Sequence, residues 1–181
     1  MFINENYTKI IYLYKKITSI ASSNIREKQL LNEVHKSKLF KFGLFIRLLL
    51  IISCVPYIQK IWFLEFINNS LESLSFNPWQ AHLIAGGDIK AFPYGYIMYL
   101  FYLPLTTIGW LFDKLLNLEY FSRFGFAITT LIFDYGIFIG IIRLLKNYSS
   151  KLILLAYWCS PVIFYIFYWH GQIDALPVFF L

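Results

Sequence analysis

FGFAITTLIFDYGIFIGII, residues 124–142, carries a single charged side chain, Asp134, near its centre. A run of about twenty apolar residues matches the hydrocarbon core of a bilayer. An acid inside such a run is costly unless it meets a partner or lines a polar path. The favoured reading is an acid that ties helices together through Tyr, Ser or Thr. On that reading Asp134→Asn is tolerated, and Asp134→Leu lowers accumulation. Comparable apolar segments span 42–60, 91–112 and 152–169, and another begins at Ala175. The fold expected is all-α, a polytopic transmembrane helical bundle. Residues 42–181 then form a module of about four complete membrane helices, with a large first outer loop at 61–93 and the start of a fifth helix. Since the sequence stops inside that fifth run, it reads as the N-terminal part of a longer protein or as a truncated product.

Composition agrees with this. Hydrophobic residues make up 59% of the 181, aromatics 21% and charged residues 14%, against about 45–50% apolar and 25% charged in soluble domains. Cys54 and Cys159 both lie in apolar runs and read as packing residues. Residues 1–41 hold eight Lys and Arg against three Glu, five of the six net positive charges. That pattern marks a cytoplasmic flank, not a nucleic-acid surface. Ile10, Ile11, Leu13, Tyr14 and Ile17 recur at helical spacing, which suits an amphipathic helix on the membrane surface and equally a packing helix of a soluble cap. Arg47, one turn inside this flank, is expected to snorkel to the interface. Pro56 should kink or end the first segment.

A basic N-terminus inside puts loop 61–93 outside. Strict alternation then puts link 143–151 outside as well, although Arg143, Lys146 and Lys151 make it basic. Cytoplasmic links are the basic ones, so one resolution is a second segment that dips without crossing.

Two stretches gather chemistry. In the loop, Gly86-Gly87-Asp88-Ile89-Lys90 precedes Phe92-Pro93-Tyr94-Gly95. Glycines there permit positive φ or close approach to a ligand. The Asp88 carboxylate has the chemistry of a general base or of a ligand for a divalent cation. The second stretch is Tyr168-Trp169-His170-Gly171-Gln172-Ile173-Asp174, with an imidazole, an amide and a carboxylate within five residues at a helix end. His170 and Asp174 alone fall short of the three or four ligands a stable metal site needs.

Together these pieces resemble the polyprenyl-phosphate-dependent membrane glycosyltransferases of the GT-C superfamily, mannosyltransferase-like members in particular. The likeness rests on the proline that closes the first segment, the acid-bearing loop that ends in FPYG (92–95), LIFDYGIFIGIIRLL (131–145) and SPVIFYIFYWHGQIDALP (160–177). It implies an integral protein of a bacterial inner membrane or an endoplasmic-reticulum-like membrane. Its partners would be the bilayer and a polyprenyl-phosphate sugar donor. Asp88 would be the catalytic base, with Lys90, Tyr94, His170, Gln172 and Asp174 binding substrate. One departure is clear: where the family has an Asp-Pro-aromatic element, this chain has Asn77-Pro78-Trp79. The competing expectation is a non-enzymatic membrane protein, a transporter fragment or assembly subunit. Asp134 and Asp174 would then form a polar pathway or helix contacts.

Overall fold

A computed structural model of the chain describes residues 25–73 and 75–181. The amphipathic helix expected over residues 10–17 lies outside them. The described elements are helical throughout. Residues 25–36 form α1. Ser37 then caps α2 (Lys38–Ser53), its hydroxyl accepting the Phe40 amide at 3.0 Å. The chain leaves α2 in extended form at Cys54 and reaches Pro56, so the proline follows a finished helix and kinks nothing.

Residues 57–73 form α3, which contains a π-helical stretch at Gln59–Leu64. Next is α4 (Pro78–Ile84), begun by Asn77, whose side-chain oxygen accepts the Gln80 amide at 3.2 Å. Pro78 occupies the first turn, where a missing N–H costs nothing. Asn77, the position that departs from the resemblance, is thus a helix cap here.

Two long helices follow, α5 (Tyr96–Leu116) and α6 (Phe121–Leu144). Then come α7 (residues 150–158) and α8 (161–170), parted at Ser160-Pro161, and the short α9 (Ala175–Phe179).

Two helices are long and apolar enough to cross a membrane, Phe121–Leu144 and the α7–α8 unit Ser150–His170. Sequence analysis expects four. The 16 residues of α2 give about 24 Å at the helical rise, short of a ~30 Å core. With 21 residues α5 is long enough. Its tyrosines, Pro104, the Thr106-Thr107 pair and Asp113 dilute its apolar character.

Helices α5 and α6 pack as a close antiparallel hairpin because each presents a glycine to the other's backbone. A Cβ on Gly109 would strike the Phe121 carbonyl, and one on Gly125 the Leu105 carbonyl. Small residues at the crossing let two backbones approach. The Asp113 side chain closes the turn, accepting amides from Tyr120 and Ser122 at 2.8 Å and from Phe121 at 2.7 Å. An acid from the end of α5 thus caps the start of α6.

Burial acts to raise the Asp113 pKa, and the bonds from Phe121, Ser122 and Tyr120 outweigh it, so the folded value lies below the usual one. A lowered carboxylate pKa contributes stability above the unfolded value, about pH 4, that is lost as pH falls through the folded value. Asp113→Ala should lower the melting temperature at pH 7 by an amount equivalent to about 1 kcal/mol. The gap from the parent should narrow at pH 3.

Centrally, Arg47 and Asp134 form an ion pair at 2.6 Å with both side chains fully buried. This corrects the expectation for Arg47, which turns inward instead of reaching for an interface. Its Nη1 donates to the carbonyls of Gly43 and Trp158 at 3.2 and 2.5 Å. Its guanidinium carbon lies 3.7 Å from the Trp158 ring centroid, a cation–π contact. Asp134 in turn accepts from Tyr157 at 2.8 Å and Tyr168 at 2.7 Å. The tyrosine ties match the reading of this acid; the arginine was not foreseen. Four helices (α2, α6, α7, α8) meet in this network.

The same contacts fix the register. Phe40 stacks near Phe138, and the Arg123 guanidinium donates to the Ile52 carbonyl at 3.3 Å, so α2 and α6 are antiparallel. The Trp158 indole donates to the Phe40 carbonyl, and Gly171 lies on Pro56, so α7–α8 runs along α2 in the same sense. Arg143 pairs with Glu27 at 3.0 Å. The basic link after α6 therefore lies beside α1, at the end where the basic N-terminal segment enters. We call this the proximal end and the end at Ser53 the distal end. The turn between α5 and α6 lies at the distal end, where Arg123 of α6 meets the Ile52 carbonyl of α2.

Candidate functional site

The loop stretch folds as two separate devices. In the first, Gly86 takes φ +83° to stop α4, and Gly87 lies against His82, whose ring a Cβ would strike. The close approach permitted by the glycine pair is thus to a buried histidine, which a neighbouring Asn69 amide contacts at 3.0 Å. Asp88 is exposed, and its carboxylate accepts the Lys90 amide at 2.8 Å, an Asx-type turn. Lys90 is also exposed.

The second device is the FPYG turn. Phe92 is fully buried, stacked 4.8 Å from Phe66, and its carbonyl accepts the Trp79 indole N–H at 3.3 Å. It holds φ +50° immediately before Pro93. That combination is disfavoured for a bulky residue and persists only because the surrounding packing imposes it. Its effect is to aim Tyr94 inward, where the phenol donates to Asp174 at 3.1 Å. Burial first, then the adjacent carboxylate, pushes the Tyr94 pKa up to about 12. Tyr94 therefore stays a neutral donor at physiological pH.

Asp174 belongs to the elbow that follows α8. Gly171 adopts φ +82° against Pro56, where a Cβ has no room, and the Gln172 amide donates to the Ile166 carbonyl at 3.0 Å. His170 lines a groove of about 580 Å³ with Val55, Pro56, Ile58, Tyr165 and Trp169. Its Nδ1 is enclosed without a hydrogen-bond partner. Continuation of the helix through His170 and Asp174 does not occur, because Gly171 breaks it.

The fold thus brings Tyr94 and Asp174 together, with His170 and Gln172 on the same elbow. Asp88 and Lys90 stand on their own turn, with no hydrogen bond or ion pair to the elbow. Among the described residues, no three His, Cys, Asp or Glu gather into a group that could hold a metal ion. Sequence reasoning missed Arg47 and His82. For Arg47 a signal existed: one cation and one anion in separate apolar runs are cheapest when paired. Nothing around His82 marks it before the Gly87 contact is seen. Comparison with known protein families, curated proteins and solved structures finds no match to this chain.

Proposed function

We propose that this chain is a membrane glycosyltransferase of the mannosyltransferase-like kind, or a module of one, using a polyprenyl-phosphate sugar donor. The observation that carries the reading is the Tyr94–Asp174 hydrogen bond. It joins the FPYG turn to the GQID elbow, two elements eighty residues apart on which the resemblance rests.

In this reading α6 and α7–α8 cross a bacterial inner membrane or an endoplasmic-reticulum-like membrane as a polytopic bundle, with the proximal end cytoplasmic, and α2, about 6 Å short of the core by its own length, crosses beside them where the bilayer thins to meet it. Residues 54–73 and 75–95, the 117–120 turn and the 171–174 elbow then share the opposite side, with α5 lying against the first half of α6. The apolar groove beside His170 suits an isoprenoid chain. The exposed Asp88 is the general base that takes the proton from the acceptor hydroxyl as its oxygen bonds to the anomeric carbon. The bond from that carbon to the donor phosphate breaks, and Lys90 offsets charge on the departing polyprenyl phosphate. His170, Gln172 and Asp174 orient the sugar, with Tyr94 holding Asp174 in place. The rival, in which Asp134 lines a polar pathway, fits less well because that carboxylate is fully enclosed and saturated with donors.

The test is transfer of labelled sugar from polyprenyl-phosphate donors by membranes carrying the chain. Asp88→Asn should lower the rate about a hundredfold at unchanged accumulation. Tyr94→Phe should act through Asp174 and raise KM more than it lowers kcat. Full turnover in Asp88→Asn would remove the base, and no transfer from any donor by the parent would overturn the reading.

A further inference from the structure

The residues of α2 sort onto two opposite faces. Gly43, Arg47 and Ile51 turn into the bundle and are buried. Lys38, Lys41, Phe45, Leu48, Leu49 and Ile52 fall within a stripe about 100° wide on the other side, and all six are exposed. Cations occupy only the proximal end of this stripe, and everything beyond them is apolar. No ion pair joins Lys38 or Lys41 to an acid among the described residues. Both lysines lie near the start of α2, whose first turn holds no acid. A helix N-terminus itself carries partial positive charge, so this corner concentrates it. Lys36, also exposed, ends α1 two residues earlier.

Such a face matches one occupant. From Lys41 to Ile52 the stripe runs about 16 Å at the helical rise, close to half of a ~30 Å hydrocarbon core. An anionic phospholipid has the same order and reach: a charged phosphate, then an acyl chain. We propose that the outer face of α2 binds an anionic phospholipid of the proximal leaflet, its phosphate on Lys38 and Lys41 and its acyl chain along Phe45, Leu49 and Ile52. The lysines supply the preference, since each cation at an anionic surface adds about a fivefold gain in affinity. Headgroups held at this level draw the leaflet down to the start of α2, which offsets the shortness of that helix. The inference rests on the membrane reading above and is independent of the sugar-transfer reaction.

The experiment places the full chain in phosphatidylcholine nanodiscs with a bimane fluorophore on Phe42→Cys, in a background free of Cys54 and Cys159. Phe42 is exposed, next to Lys41 and at the edge of the stripe. Quenching is followed as host lipid is replaced by phosphatidylglycerol or phosphatidylcholine that carries a nitroxide on its acyl chain. Half-maximal quenching should need at least about fivefold less of the phosphatidylglycerol. The double variant Lys38→Gln, Lys41→Gln should remove that difference while phosphatidylcholine still quenches. Both lysines are exposed, so their substitution carries little folding risk. Lys151→Gln, which removes another exposed proximal charge, should leave the difference intact. Equal quenching by the two lipids, a preference that survives the double variant, or one lost equally in Lys151→Gln would overturn the proposal and leave the membrane reading standing. Quenching by neither lipid would overturn the membrane reading and the proposal with it.

Discussion

Arg47→Met should cost the fold about 3–5 kcal/mol, because it leaves the Asp134 carboxylate charged and enclosed. In a protein of this size that corresponds to a fall of about 10 °C in melting temperature, measurable by fluorescence-detected size exclusion in detergent. Asp134→Leu should do as much from the other side, stranding a guanidinium and the Tyr157 and Tyr168 hydroxyls. Asp134→Asn should lie between, since an amide still accepts from the tyrosines but gives Arg47 no counter-charge. The double variant Arg47→Met, Asp134→Leu is the informative one. Removing both charges together should recover most of the loss, since buried pairs are often replaceable by apolar residues of similar volume. A double variant that falls by the sum of the singles would show that the two side chains act separately.

The second large effect is expected at the α5–α6 crossing. Gly125→Ala and Gly109→Ala each push a methyl group into a facing backbone carbonyl, which has no rotamer with which to retreat. Overpacking of this kind costs about 1–3 kcal/mol per site, and the pair together should prise the hairpin apart. Gly140→Ala is the control on the same helix. Its Cβ would meet nothing within 4 Å, so helix propensity alone applies and it should stabilise by up to about 1 kcal/mol. Equal behaviour of Gly125→Ala and Gly140→Ala would contradict the close crossing.

What could be read in the sequence follows physical range. Pro56 was legible as a stop because proline acts on its own backbone. Residues 124–142 and 152–169 were legible because a long apolar run needs no partner to be recognised, and both became parts of the two candidate spans. Arg47 was misread because an arginine near a basic flank has the same local pattern whether it snorkels or turns inward; its partner is 87 residues away. The Gly86-Gly87 pair announced unusual backbone, and Gly86 has the positive φ. What Gly87 approaches, the His82 ring, depended on packing. Tyr94 and Asp174 were each singled out, but their hydrogen bond spans a separation that no periodicity reaches. The second apolar segment, 91–112, matches α5 (Tyr96–Leu116) in length and lies four to five residues ahead of it. Its role as one arm of a distal hairpin came from Gly109, Gly125 and the Asp113 cap, which are tertiary facts.

All of the functional reading depends on three passes that put the FPYG turn and the GQID elbow on one side and the basic links on the other. Single cysteines at Ser73 and at the exposed Asn147 test this, in a Cys54→Ser, Cys159→Ser background, with a membrane-impermeant thiol reagent applied to intact cells. The account predicts labelling of Ser73→Cys from outside, and labelling of Asn147→Cys only after lysis. Strict alternation of the four apolar segments predicts both from outside, so external labelling of Asn147→Cys would contradict the account.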